Sequence, residues 1–242
     1  MIESLTIILP LYNEEKRLKE SFKKISKFLA NNRIKIKELI FVDDGSTDNS
    51  SEIIKEYIKR NNLKNKNLKL IKYKKNKGKG NAIKVGVKNS TGKWVLTSDI
   101  DFSVSLFEIT NWQKKGYIEN KYKVYFGSRS HKKSIVKSKL HRKIIGNLLR
   151  LIISFMLNIK LKDTQCGYKL YSRNIAKYVF SKMQSLKFEH DIEIVLILKK
   201  KKINIKELPV TWFHVPQSKV NLISDSIKVF KSIFILKKKY LN

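Results

Sequence analysis

Short β-branched apolar runs alternate with helical stretches through the first half of this chain, and that alternation limits the fold to one class. Leu5-Thr6-Ile7-Ile8-Leu9, ended by Pro10, reads as a strand with both faces covered, the mark of a buried parallel sheet. Glu14 to Leu29 follows, with Leu18, Phe22, Ile25 and Leu29 at helical spacing. Leu39 to Val42 is a second strand, stopped by Asp43-Asp44-Gly45-Ser46. The next helix has Thr47 or Asp48 as cap and turns Ile53, Ile54, Tyr57 and Ile58 inward. Leu68 to Tyr73 is a third strand, and Gly78-Lys79-Gly80-Asn81 opens a helix through Ile83 and Val87 that closes near Gly92. Lys93 to Ser98 is a fourth strand, Ser105-Leu106-Phe107-Glu108 resembles a capping box, and Val124-Tyr125-Phe126 is a fifth strand. Four alternations in about 100 residues predict an α/β fold with a mostly parallel sheet and helices on both faces.

Open sheets of this kind bind ligands at the carboxyl ends of their strands. Here those ends carry Tyr12-Asn13-Glu14, Asp43-Asp44 and Asp99-Ile100-Asp101, three polar clusters aimed at one crevice. Two carboxylates one residue apart at a strand end commonly hold a hard divalent cation, with diphosphate oxygens as its other ligands.

The second half has another character. Residues 139–158 form a long helical stretch with Leu140, Ile144, Leu148, Leu151, Ile152 and Phe155 on one stripe, and Lys139, His141, Arg142, Lys143 and Arg150 nearby. Asp163 to Lys169 reads as a polar loop. Helices are expected from about Asn174 and from His190 to Lys200, and a strand from Ile203 to Phe213 with Pro209 at an edge or bulge. The tail, Asn221 to Tyr240, is again amphipathic, with Ile223, Ile227, Phe230, Phe234 and Ile235 facing one way among lysines.

Lys and Arg number 53 against 20 Asp and Glu, a net charge of +33. The excess points to an anionic partner, in part offset by an Asn/Ile/Lys-rich composition that raises lysine everywhere. The lysines are spread along the chain and are not interleaved with aromatic residues in a recognised motif, so no nucleic-acid partner is expected. The single cysteine, Cys166, allows no disulfide within the chain and suits a reducing, cytoplasmic setting. No signal-peptide pattern and no apolar run of about 18 residues is present, so attachment to a membrane would be peripheral.

Four strings appear in order: Leu9-Pro10-Leu11-Tyr12-Asn13-Glu14-Glu15, Val42-Asp43-Asp44-Gly45-Ser46-Thr47-Asp48, Lys77-Gly78-Lys79-Gly80-Asn81-Ala82 and Ser98-Asp99-Ile100-Asp101. Together they resemble the nucleotide-sugar domain of family 2 glycosyltransferases of the GT-A fold. Gly127-Ser128-Arg129, Asp163-Thr164-Gln165-Cys166-Gly167-Tyr168-Lys169-Leu170 and Trp212 with Ser218-Lys219 resemble the polyprenyl-phosphate branch, nearest in form to the dolichyl-phosphate β-glucosyltransferase type. The resemblance spans about residues 4 to 221. It implies a glycosyltransferase domain over residues 1–220, with a nucleotide-sugar half to 128, an acceptor half from 129, and an amphipathic basic helix over 221–242.

The resemblance also implies roles. Pro10, Tyr12, Glu14, Val42, Asp44, Lys79 and Asp99 would form the nucleotide-sugar site, with Asp44 on the base edge or ribose hydroxyls. Asp99 and Asp101 would hold Mg²⁺ or Mn²⁺, with Asp101 the direct ligand and Ser103 a poorer neighbour, and the cation would neutralise the leaving diphosphate. The acceptor would be a lipid phosphate, already an anion, which needs cations rather than a strong base. Arg129 and Arg142 would hold it, with Lys219 assisting and Asp163 and Gln165 shaping the floor. Asp191 and Glu193 would be alternatives for sugar contacts or for a base, with His190 a neighbour. The implied reaction inverts configuration and moves glucose from UDP-glucose, or mannose from GDP-mannose, to a polyprenyl phosphate; a hydroxyl acceptor is the other alternative. The two amphipathic segments would meet an anionic membrane surface.

Overall fold

A computed structural model describes residues 2–61, 67–137, 140–215 and 222–241, without the side chains of 140–145, 147 and 222–229. The strands are β1 (Leu5–Leu11), β2 (Ile36–Asp43), β3 (Leu68–Lys72), β4 (Trp94–Thr97), β5 (Val124–Ser128), β6 (Ile135–Lys137), β7 (Lys169–Ser172), β8 (Lys206–Pro209) and β9 (Thr211–Phe213). The helices are α1 (Glu15–Asn31), α2 (Ser50–Asn61), α3 (Lys79–Lys88), α4 (Glu108–Lys114), α5 (Leu140–Leu157), α6 (Arg173–Lys182), α7 (His190–Lys200) and α8 (Leu222–Tyr240). Seven strands form one sheet in the order β3-β2-β1-β4-β7-β5-β8, while β6 and β9 pair beside it. Every pairing in the large sheet is parallel except those of β7, which runs antiparallel to both β4 and β5.

Alternation along each strand splits the core into two layers. Ile7, Leu9, Leu39, Phe41, Leu96, Tyr125 and Leu170 face α1, α2 and α4 through Leu18, Ile25, Phe28, Ile54 and Trp112. Ile8, Ile40, Val42, Val95, Phe126 and Tyr171 face the other way, against Ala82, Ile83, Phe180 and Ile192. The α/β reading with helices on both faces matches this architecture.

Several local readings need correction. Pro10 does not end the first strand: β1 continues to Leu11, with Pro10 in register with Val42. The missing N–H costs nothing there, because β4 pairs with β1 only up to Ile8. The expected polar loop ends in a strand, since Lys169 opens β7. The Ile203–Phe213 strand is two strands, β8 and β9. The Ser105–Glu108 capping box does not form: the Glu108 carboxylate is buried and accepts from Thr211 N at 3.3 Å. Asp48 does cap, and twice: it accepts from Ser50 N at 3.0 Å at the start of α2 and from Glu15 N at 3.2 Å at the start of α1.

The apolar stripe expected on residues 139–158 divides in two. Leu148, Leu151 and Phe155 are exposed, the last at 91%, whereas Ile152 joins Ile153 and Leu157 on the core side. On α8, Ile233 and Leu236 are buried while Phe230, Phe234 and Ile235 lie outside. The helix α8 packs against α5 and α7. Among the described residues no helix is long and apolar enough to cross a membrane.

Candidate active site

The carboxyl ends of β1 and β2 are joined by an asparagine. Asn13 has φ 53°, a left-handed backbone that asparagine tolerates. Its amide oxygen accepts from Thr47 N at 2.8 Å, and its own N–H donates to Ser46 Oγ at 2.8 Å. This clasp holds Tyr12, 38% exposed, just past the carboxyl end of β1. Asp43 is buried and turned back into its own loop, accepting from Ser46 N at 2.8 Å and from Ser51 Oγ. Asp44 faces the segment before α3. It accepts from Tyr73 Oη at 2.5 Å, Lys77 N at 2.9 Å and Gly78 N at 2.8 Å. Burial and that bond to Asp44 hold the Tyr73 hydroxyl protonated, well above the usual tyrosine range. Gly78 has φ 106° and lies so close to Leu186 that a Cβ would stand 2.5 Å from its carbonyl oxygen. The loop that presents Lys79 is thereby fixed from two sides. The side chain of Val42 lies in the buried layer beneath α3, beside Gly86, and takes no part in the crevice surface. Pro10 is buried within β1.

Past β4 the chain turns at once. Phe102 N donates to Asp99 O at 3.1 Å, and Phe102 takes the left-handed φ of 51°, unusual for a bulky residue. Ile100 and Phe102 are both in the core, and Ser21 Oγ on α1 ties down the carbonyl of Ile100 at 2.7 Å. With the apolar members of the turn turned inward, Asp99 lines the crevice and Asp101 lies within the field of Asp99 and Lys79. Asp101 accepts from Ser103 N at 2.9 Å. Burial, then the negative charge of Asp99, push the Asp101 carboxyl above the usual carboxylate range. Lys79 Nζ lies 2.5 Å from Asp99 Oδ1. Burial opposes the charge on Lys79, but Asp99, then Asp191 and Asp101, outweigh it and hold the ammonium above the usual lysine range. Gly167 presses against the same acid: a Cβ there would stand 2.6 Å from Asp99 Oδ2.

Arg129, just past β5, grips Asp163 through two parallel bonds, Nε to Oδ2 at 2.7 Å and Nη2 to Oδ1 at 2.9 Å, and its own N–H adds a third at 2.9 Å. Asp163 is wholly buried, and Glu207 accepts its N–H at 3.0 Å. Burial would raise the Asp163 carboxyl; Arg129, with Arg150 behind it, drives it below the usual range instead. Arg129 therefore arrives at the crevice already paired with one carboxylate, with Arg150 as a second cation near that acid. Ser98, Asp99, Ser103, Arg129, Gln165 and Trp212 share one crevice. Burial pushes the Cys166 thiol behind it up to about 12, so it stays protonated.

The structure gives Asp191 and Glu193 different surroundings. Asp191 is buried against the ammonium of Lys169 and lies 3.3 Å from His190 Nε2. Burial raises its carboxyl, and His190, Lys169 and Lys79 reverse that. Glu193, two positions along α7, is turned to the loop before that helix and to α8. It accepts from Gln184 N, Ser185 N, Lys239 Nζ and Tyr240 Oη at 2.6 to 2.9 Å. It is an anchor of the tail, not a group of the crevice.

Thus Tyr12, Asp44, Lys79, Asp99, Asp101, Arg129, Asp163 and Gln165 gather at the strand ends. Arg142 lies on α5 with its side chain outside the described residues, and Lys219 with Ser218 lies outside them altogether. Sequence reasoning missed Asn13 and Lys169 as organising residues. An asparagine between Tyr12 and Glu14 at a strand end was a readable signal; the buried partner of Lys169 is not local. Among the described residues no three His, Cys, Asp or Glu side chains gather as a metal cluster. Two adjacent carboxylates still fit a hard cation that completes its shell with diphosphate and water.

Residues 6–180 match the family described as glycosyl transferase family 2. A dolichyl-phosphate β-glucosyltransferase of Dictyostelium discoideum is 32% identical over 246 residues, covering 98% of this chain and 75% of that protein. The enzyme of the same name in Saccharomyces cerevisiae is 32% identical, again over 98% of this chain and 75% of its own length. Among solved structures, glucosyl-3-phosphoglycerate synthase of Mycobacterium tuberculosis, in complex with Mn²⁺, UDP and glucosyl-3-phosphoglycerate, superimposes with a TM-score of 0.70 at 14% identity, over 97% of this chain and 80% of that one. The last likeness concerns the fold alone. The family match over residues 6–180 and the relatives matched along 98% of this chain carry the assignment: this chain belongs to glycosyl transferase family 2.

Proposed function

We propose that the enzyme transfers glucose from UDP-glucose to a dolichyl or other polyprenyl phosphate, with inversion, giving a β-linked lipid-phosphate sugar. The observation that carries this reading is the 32% identity to dolichyl-phosphate β-glucosyltransferases across 98% of the chain. The crevice supports it chemically, because Asp99 and Arg129 face one opening and the ammonium of Lys79 lies on Asp99.

Tyr12 and Asp44 at the ends of β1 and β2 hold the nucleoside, while Pro10, Glu14 and Val42 shape the ground behind them. Lys79 lies within reach of the diphosphate. Asp99 and Asp101 would hold Mg²⁺ or Mn²⁺, which, when bound, offsets charge on the departing diphosphate. On the other side Arg129, backed by Asp163 and Gln165, orients the acceptor phosphate, with Arg142 and Lys219 assisting. That phosphate attacks the anomeric carbon as the UDP oxygen departs, so no proton need be removed from the nucleophile and no covalent enzyme intermediate forms. The donor half covers residues 1–128, the acceptor half 129–220, and α8 serves the membrane. Attachment is peripheral, at the cytoplasmic face: Leu148, Leu151, Phe155, Phe230, Phe234 and Ile235 are turned outward on two helices packed together, in a chain of net charge +33 that favours anionic lipid.

The test offers radiolabelled UDP-glucose, UDP-galactose, UDP-N-acetylglucosamine or GDP-mannose with a short polyprenyl phosphate and Mn²⁺. Transfer from UDP-glucose to the phosphate is expected. Transfer only from GDP-mannose would overturn the donor, and transfer only to a hydroxyl glycan would overturn the acceptor.

A further inference from the structure

We propose that Lys79 is a resident cation of the acid pair: in the free enzyme its ammonium sits on Asp99 where a divalent ion would compete, and it moves off only when a nucleoside diphosphate arrives to receive it. The inference rests on the reading that Asp99 and Asp101 hold the divalent cation, and it adds an order of events that reading does not contain. The free enzyme binds the metal poorly, and metal and nucleotide enter together.

Three observations carry it. The first is position. Lys79 Nζ is 2.5 Å from Asp99 Oδ1, and the ammonium is also within the field of Asp101 and Asp191. A divalent ion on the same acids would have to displace it or sit beside it against charge repulsion. The second is mobility at the right end. The backbone of Lys79 is fixed, since Gly78 N donates to Asp44 at 2.8 Å and Ala82 N bonds back to Gly78 O at 3.1 Å. The ammonium rides on a flexible four-carbon stem, and the pair is open to solvent, with side-chain exposures of 24% for Lys79 and 35% for Asp99. A point charge so mounted can exchange a carboxylate for a phosphate oxygen without disturbing the fold. The third is crowding on the opposite side. Gly167 approaches Asp99 so closely that a Cβ would stand 2.6 Å from Oδ2. Asp99 is thus flanked by Lys79 and the Gly167 loop, and a divalent ion that shared it with the ammonium would do so against charge repulsion.

The experiment is a Mn²⁺ titration of the full chain, read by the electron paramagnetic resonance of the free ion, with and without UDP. Lys79→Met is expected to bind Mn²⁺ alone about tenfold more tightly than wild type, because the competing charge is gone. With UDP present that advantage disappears, since wild-type Lys79 then holds the diphosphate. Lys79→Arg keeps the charge and is expected to stay within about twofold of wild type, which separates loss of competition from altered packing. Lys79→Gln, which keeps a polar side chain, repeats the measurement should the methionine variant fold poorly. Equal or weaker Mn²⁺ binding by folded Lys79→Met or Lys79→Gln without UDP overturns the proposal. Asp101→Asn, which leaves the Lys79–Asp99 pair in place, tests the underlying reading separately: if it binds Mn²⁺ with UDP as well as wild type does, the acid pair is not the metal site and both ideas fall.

Discussion

Glu193→Gln gives a direct measurement of how much the tail contributes to the fold. The Glu193 carboxylate is wholly buried. One oxygen accepts from Gln184 N at 2.9 Å and Ser185 N at 2.6 Å, and the other from Lys239 Nζ at 2.6 Å and Tyr240 Oη at 2.7 Å. Burial alone would raise its pKa; the Lys239, Ser185 and Tyr240 bonds overcome that and bring it down to about 2 from the ordinary 4.5. At about 1.4 kcal/mol for each unit, the ionised form contributes about 3 kcal/mol at neutral pH. The folded pKa lies below the unfolded one, so this stability is complete above the unfolded value and is lost as the pH falls towards 2. A glutamine of the same shape must aim an NH₂ at groups that already donate. Urea unfolding followed by tryptophan fluorescence should therefore show Glu193→Gln about 3 kcal/mol less stable at pH 7, a midpoint lower by about 1 M. At pH 3.5 the difference should narrow to about 2 kcal/mol. A difference below about 1 kcal/mol at pH 7, or one unchanged at pH 3.5, would show that the charge does not hold α8 in place.

Asp163→Asn keeps the shape of the acid but leaves Arg129 without its counter-charge. A loss of about 3 kcal/mol is expected in the same unfolding assay, along with weaker use of the polyprenyl phosphate. Gly78→Ala forces a Cβ to within 2.5 Å of Leu186 O at a φ of 106°. It should cost about 2 kcal/mol and raise the KM for the nucleotide sugar, read from initial rates at varied donor. Replacing Phe155 and Phe234 by serine should leave unfolding within about 0.5 kcal/mol of wild type, as expected at exposed sites. The same pair should lower co-sedimentation with anionic vesicles about tenfold or more, if each ring buries apolar area worth about 2 kcal/mol in lipid.

The parallel part of the sheet was legible because its strands are unbroken apolar runs, and burial on both faces leaves no other way to satisfy such runs. The acid pair was legible for a related reason: Ile100 and Phe102 are the inward members of a turn that must send Asp99 and Asp101 outward. What escaped is non-local. β7 is four residues long and begins with a lysine, so nothing local marks it as a central strand. Its burial depends on Asp191, far along the chain, lying against Lys169. Glu108 after Ser105 had the spacing of a capping box, yet its carboxylate is taken by Thr211 N from a strand that forms much later in the sequence. The stripe on α5 was found, but periodicity alone could not say that Ile152 belongs inside and Phe155 outside. That choice is made by the arrival of α8, whose Ile233 and Leu236 cover one side only.

The antiparallel strand β7 also determines how this chain can be assembled and cut. β5 has β7 and β8 as its neighbours, and both come from later in the sequence. A nascent chain released at residue 128 could join β3, β2, β1 and β4, but β4 would end in an open edge and β5 would have nothing to pair with. Unpaired edges of that kind invite association with other chains. The donor half is therefore not a module that can be expressed or transplanted alone, although its motifs all lie before residue 128. During synthesis β5 cannot join β4 until Ser172 has emerged and β7 can fold back between strands made long before it, and the sheet is complete only once β8 has followed.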